Sequence, residues 1–158
     1  MSHVAFDLGL TSTGFAWSGD PSDGSDTHTL PAKYRRSPMD DDRRQQRMQW
    51  WLSTFRALLL PTPRIDVVVE APILHRLHPT GSIETIRLHG LLAAVCADNE
   101  SALYPVTPTA LKKWATGRGN ADKDDMVGVA EALGWCGESH DEADAWHLWR
   151  MFDAGGVS

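Results

Sequence analysis

Apolar and polar positions change period several times along the chain, and the changes predict its elements. Residues 3–9 (HVAFDLG) and 13–18 (TGFAWS) are short apolar runs joined by Gly9 to Ser12, the pattern of a β-hairpin. Residues 19–26 (GDPSDGSD) read as a solvent turn, and 27–34 (THTLPAKY) as a third, weaker strand. From Pro38 to Leu60 the period becomes helical, with Met48, Trp51, Leu52, Phe55, Leu58 and Leu59 recurring at steps of three and four. Pro61 to Arg64 break that helix. Residues 65–72 (IDVVVEAP) then form an uninterrupted β-branched run, the mark of a strand covered on both faces.

Residues 82–98 return to a helical period, with Ser82 as the expected N-cap and Gly90, Ala93 and Ala94 small enough for close packing. A short strand, ALYPV, follows. Thr107 caps a brief helix through Trp114, Gly117 and Gly119 break it, residues 122–133 resume, and Gly134 stops them. The last helix runs from about Asp141 to Phe152. Strands joined through helices predict an α/β fold, a central mixed sheet of about five strands flanked by helices.

Composition narrows the class. A chain of 158 residues with 42% hydrophobic content suits one domain spanning 1–158. No apolar run approaches the roughly 20 residues needed to cross a bilayer, and MSHVAFDLGL lacks a basic region leading into an apolar stretch. Cys96 and Cys136 stand singly, both in apolar helical contexts, so neither a disulfide framework nor a four-cysteine zinc site is expected. These features point to a cytoplasmic protein without a membrane partner. With 15 Lys and Arg against 21 Asp and Glu, the net charge of −6 argues against nonspecific coating of nucleic acid. Bases are nevertheless concentrated between His75 and Lys123, where Arg76, Arg87, Lys112, Lys113, Arg118 and Lys123 outnumber Glu84, Asp98, Glu100 and Asp122.

Four carboxylates sit where packing favours apolar groups. Asp7 lies inside the first strand, Glu70 ends the buried one, and Asp141 and Asp144 extend the apolar stripe of Ala145, Leu148 and Phe152 on the last helix. Taken alone, Asp141 is an ordinary helix cap. Asp40, Asp41 and Asp42 are read as first-turn acids complementing a helix dipole rather than as metal ligands. If the first and fourth strands are neighbours, however, Asp7 and Glu70 meet where the last helix brings Asp141 and Asp144. Four such groups stay ionised together only with cations between them. Oxygen donors without paired thiols suit two Mg²⁺ ions, with Mn²⁺ as a substitute, and so point to phosphodiester hydrolysis.

In order and spacing, Asp7-x-Gly9 with Thr13-Gly14, VVVEAP around Glu70, YPVTPTALKKWATGRGNADKDDM, and Asp141-x-x-Asp144-Ala145 resemble the RuvC-like Holliday junction resolvases. The likeness spans nearly the whole chain, and Lys112 to Lys123 is its most specific part. It implies a ribonuclease H-like fold and a homodimer making paired nicks in branched DNA at four-way junctions. It also implies that Asp7, Glu70, Asp141 and Asp144 bind the metal, with Asp7 bridging the ions. Lys123 and Lys112 would act near the scissile phosphate. Lys113, Arg118 and Arg76 would contact DNA, and Gly117 and Gly119 would let its backbone approach closely. The helix 82–98 would pack near the dimer axis.

The sequence departs from that pattern at Leu8, where the family often has Pro, and at Ile73, where many relatives place an aromatic residue. His75 and His78 read as loop histidines near the DNA path, His140 as a solvated helix-start residue, and Glu142 as exposed. Most tryptophans read as core, with Trp114 a candidate for base stacking. Rival readings are a ribonuclease acting on RNA–DNA hybrids, a noncatalytic junction-binding module, and an actin-like small-molecule kinase, for which the chain is too short. A helicase or packaging partner is left open.

Overall fold

The structure is a computed structural model that describes residues 3–18, 24–35, 40–62, 64–73 and 79–157. Its strands are β1 (His3–Leu8), β2 (Ser12–Trp17), β3 (Gly24–Thr29), β4 (Asp66–Glu70) and β5 (Leu103–Val106). Its helices are α1 (Ala32–Arg35), α2 (Asp41–Leu59), α3 (Pro79–Asp98), α4 (Pro108–Thr116), α5 (Lys123–Ala132) and α6 (His140–Asp153). The five strands form one mixed sheet in the order β3-β2-β1-β4-β5. β1 pairs antiparallel with β2 and parallel with β4, and β4 pairs parallel with β5. The expected α/β class, the hairpin and the adjacency of the first and fourth strands are all present.

Strand alternation sorts the core into two layers. Val4, Phe6, Leu8, Val67 and Val69 point to α2 and α3 and bury Trp51, Phe55, Leu59, Leu88, Leu92 and Val95. Ala5, Val68 and Val106 point the other way, onto Leu111, Met126, Leu148 and Met151 of α4, α5 and α6. His147 is fully buried in α6, its Nε2 2.9 Å from the Met126 carbonyl, which ties α6 to α5.

Several expectations need correction. The third strand begins at Gly24 rather than at Thr27, because Gly24 leaves room for the Trp17 ring across the pair, where a Cβ would lie 2.6 Å from it. Pro31 then leads into α1 instead of continuing a strand. Ser82 is not a cap, since α3 already begins at Pro79. Cys136 is exposed in the connection between α5 and α6, outside any helix. Glu142 is buried, not exposed: β3 lies across the start of α6, and the carboxylate accepts bonds from the Ser25 hydroxyl at 2.6 Å and the Glu138 N–H at 3.1 Å. Asp40, in contrast, behaves as read, capping α2 through the Arg43 N–H at 2.9 Å.

One glycine decides how closely α6 docks. A Cβ on Gly14 of β2 would lie 1.9 Å from the Asp141 carbonyl oxygen, so only glycine lets the first turn of α6 rest on the strand. Gly14→Ala must displace backbone rather than a flexible side chain. We expect it to cost about 1–3 kcal/mol or more, read as a fall in denaturation midpoint, whereas Gly90→Ala, with open space at its Cβ, should be neutral or stabilising.

Candidate active site

Side-chain alternation puts Asp7 on the same face of β1 as Ala5, and Glu70 on the same face of β4 as Val68, so both acids face α4 to α6. The register of β1 with β4 ends at the pair Phe6 and Val69, one residue short of both acids. The strands part there, and Asp7, Leu8, Glu70, Ala71, Pro72, Ile73, Thr85 and His89 line a cleft of about 200 Å³. α6 arrives from the opposite side. Ser139 caps it by accepting the Glu142 N–H at 3.1 Å, which places Asp141 in the first turn and Asp144 one turn on. Asp141 is therefore not the cap. Its carboxylate accepts the Ser12 hydroxyl and lies 3.7 Å from Lys123 Nζ.

The four carboxylates act on one another. Burial holds Asp7 well above the ordinary carboxylate range, and the charges of Glu70, Asp144 and Asp141 push the same way. Burial, then Asp144, pushes Glu70 up to about 7, while Lys112 and Lys123 pull it back. Asp144 is pushed up to about 6 by burial, with Lys123 opposing and Asp141 adding to the rise. Crowded, desolvated acids of this kind call for positive charge.

The protein supplies part of that charge from α4 and α5. Asp122 and Asp125 form a capping box that starts α5, so Lys123 is its first helical residue. A cation there opposes the helix dipole, and its compensation comes from the carboxylates across the cleft. Thr107 caps α4 through the Ala110 N–H and orients Lys112 toward the same groups. Lys113 and Arg118 are exposed farther out, Arg118 paired with Asp125 at 2.8 Å. Gly117 ends α4 at φ 77°, a left-handed conformation that suits glycine. Gly119 packs against Thr109, whose methyl would lie 2.9 Å from an added Cβ. Both glycines thus have local structural work. Trp114 is half-buried against the second core layer, with the Arg150 guanidinium 5.8 Å from its ring. His140 is exposed at the start of α6, and its charge lowers Asp144. Arg76, His75 and His78 lie outside the described residues.

Whether the cluster suits a divalent ion can be tested on its own atoms. The donors are carboxylate oxygens, the chemistry of a hard cation, and Asp144 Oδ1 is buried without a hydrogen-bond partner. Among the described residues no three His, Cys, Asp or Glu side chains are already drawn together as a metal cage. The site is therefore an open set of oxygen donors. Sequence reading missed Ser12, Gly14 and His89. The Ser12-Thr13-Gly14 stretch that opens β2 carried a signal for the first two, but nothing in the spacing links His89 to Glu70.

A five-stranded mixed sheet of this order, flanked by helices, is a ribonuclease H-like fold. Two solved structures from Thermus thermophilus share it. RuvC alone matches with 14% identity over 98% of both chains and a TM-score of 0.69. RuvC in complex with a Holliday junction substrate matches with 15% identity over 99% of this chain and 98% of that one, at a TM-score of 0.72. No protein-family model matches the chain, and no curated protein matches by sequence.

A raised acid favours the folded state only while protonated. In metal-free protein, stability linked to Glu70 should be full below its ordinary value of 4.5 and fall as pH rises toward about 7. Glu70→Gln should thus stabilise the protein at pH 8 by on the order of 2 kcal/mol, seen as a higher melting temperature, with little effect at pH 4. Thermal melts in chelator across that range check the sign.

Proposed function

We propose that the chain is a metal-dependent, structure-selective endonuclease that resolves Holliday junctions and related branched DNA in the cytoplasm by paired phosphodiester hydrolysis. The observation that carries this reading is the electrostatic coupling of Asp7, Glu70, Asp141 and Asp144 at one end of the sheet, opposed by Lys112 and Lys123. It is supported by a fold shared with a RuvC that was solved with a Holliday junction.

In this reading the four carboxylates would hold two Mg²⁺ ions, or Mn²⁺, which supply an activated water and neutralise a departing oxygen. The remaining steps belong to the chain itself. Lys123 and Lys112 offset the charge of the scissile phosphate and of its transition state. Ser12 fixes one oxygen of Asp141, leaving the other turned toward Lys123. Ile73, half-exposed at the cleft, offers an apolar contact to an unpaired base. Lys113, Arg118, Gly117 and Gly119 extend the DNA path outward; Arg76, expected to contact DNA, lies outside the described residues.

Two nicks at a junction require two sites, and α3 carries a surface suited to pairing. Ile83 and Ile86 are 50% and 45% exposed, on one helical face with the exposed small residues Gly90, Ala93 and Ala94. A two-fold contact there would cover them.

Purified protein incubated with four-way junction, fork, linear duplex and RNA–DNA hybrid, with and without Mg²⁺, tests the reading; we expect the junction to be cut with Mg²⁺ only. Preferred cutting of the hybrid would replace it with a ribonuclease, and tight junction binding without cutting would make the chain a binding module. Asp7→Asn and Asp144→Asn should abolish cleavage while junction binding survives. Lys123→Ala should lower the single-turnover rate by about 10²-fold or more with an unchanged melting temperature. Ile83→Glu with Ile86→Glu should convert a dimer to a monomer in analytical ultracentrifugation.

A further inference from the structure

The separation of β1 and β4 leaves a structural problem at the end of β4. Alternate residues of a strand direct their backbone groups to opposite neighbours. Val67 and Ala71 donate to the β5 side, to the carbonyls of Ala102 at 2.8 Å and Val106 at 2.7 Å. The Glu70 carbonyl therefore points toward β1, whose register has already ended at Phe6. A half-buried carbonyl beyond the ladder needs another donor. His89, at mid-helix in α3, provides it, with Nε2 2.7 Å from the Glu70 oxygen. Its other ring nitrogen lies 2.9 Å from the Thr85 carbonyl one turn earlier. His89 and Thr85 also line the cleft that holds Asp7 and Glu70.

We propose that His89 is a positioning residue: its bond to the Glu70 carbonyl replaces the missing strand partner and holds the Glu70 carboxylate in place opposite Asp7. Without it, the Glu70 carbonyl, which lies past the last pairing with β1, has no partner, and the end of β4 can turn away from β1. The cost falls on the alignment of the carboxylates rather than on DNA affinity, because the ring contacts the end of β4 and its own helix. Groups that hold a ligating side chain in place commonly matter about 10- to 100-fold to metal affinity or rate.

This inference rests on the nuclease reading for its activity arm, so the test has a second arm without DNA. His89→Gln retains a side-chain N–H that can reach the carbonyl; His89→Leu fills similar space without one. In Mn²⁺ titrations of the full chain followed by paramagnetic resonance, His89→Leu should bind at least about 10-fold more weakly than the parent, and His89→Gln should recover most of the loss. With a four-way junction, His89→Leu should lower kcat with an unchanged dissociation constant, and His89→Gln should again restore it. Equal behaviour of the Leu and Gln variants in both arms, with melting temperatures like the parent's, would overturn the role of the bond. If the parent binds Mn²⁺ and the Leu–Gln difference is present there, but no junction is cut, the positioning role stands and the nuclease reading fails.

Discussion

The structure turns on the confinement of negative charge at one end of a sheet. Asp7, Glu70 and Asp144 are half-buried and act on one another, and burial is the largest force acting on each. Crowding of this kind destabilises a fold, so it persists only where other contacts enforce it. Here the enforcement comes from two apolar layers. The buried valines of β4 and the apolar residues of β1 leave neither strand free to rotate its acid outward. The fold thus spends stability on a cluster that attracts cations.

Three separate devices bring the acids together. The parallel pairing of β1 with β4 aligns two strand ends that are far apart in the chain. The loss of pairing after Phe6 and Val69 opens a cleft just where the carboxylates begin. Gly14 then allows α6 to approach β2 with backbone against backbone, so that its first two turns deliver Asp141 and Asp144. The coincidence of these devices at one end of the sheet is what gives the arrangement chemical meaning.

The charge balance of the whole chain conceals this organisation. A protein with net charge −6 presents two lysines, Lys112 and Lys123, to the groups that most need them. Lys123 stands at the start of a helix, where the dipole disfavours it. Such a placement makes sense beside a set of carboxylates. The overall fold is shared with a RuvC solved with a Holliday junction.

Much of this was legible in one dimension. Among the described residues, the period changes located the strands and helices apart from the short α1 and the first half of β3, and the β-branched run of 66–70 announced a covered strand. Asp7, Glu70, Asp141 and Asp144 were conspicuous because local packing rules do not call for acids there. Glu142 was misread because its partners, Ser25 and the Glu138 N–H, come from a neighbouring strand and from a turn that no helical period encodes. Ser82 was misread because helical propensity does not mark how far a helix extends beyond its first good cap. What composition and periodicity determined was the menu of elements and the unusual acids among them, since both follow from contacts between near neighbours. What the tertiary structure alone decided was the parting of β1 from β4, the docking of α6 on Gly14 and the reach of His89 to Glu70, because each depends on the distance between segments that only the packed core brings together.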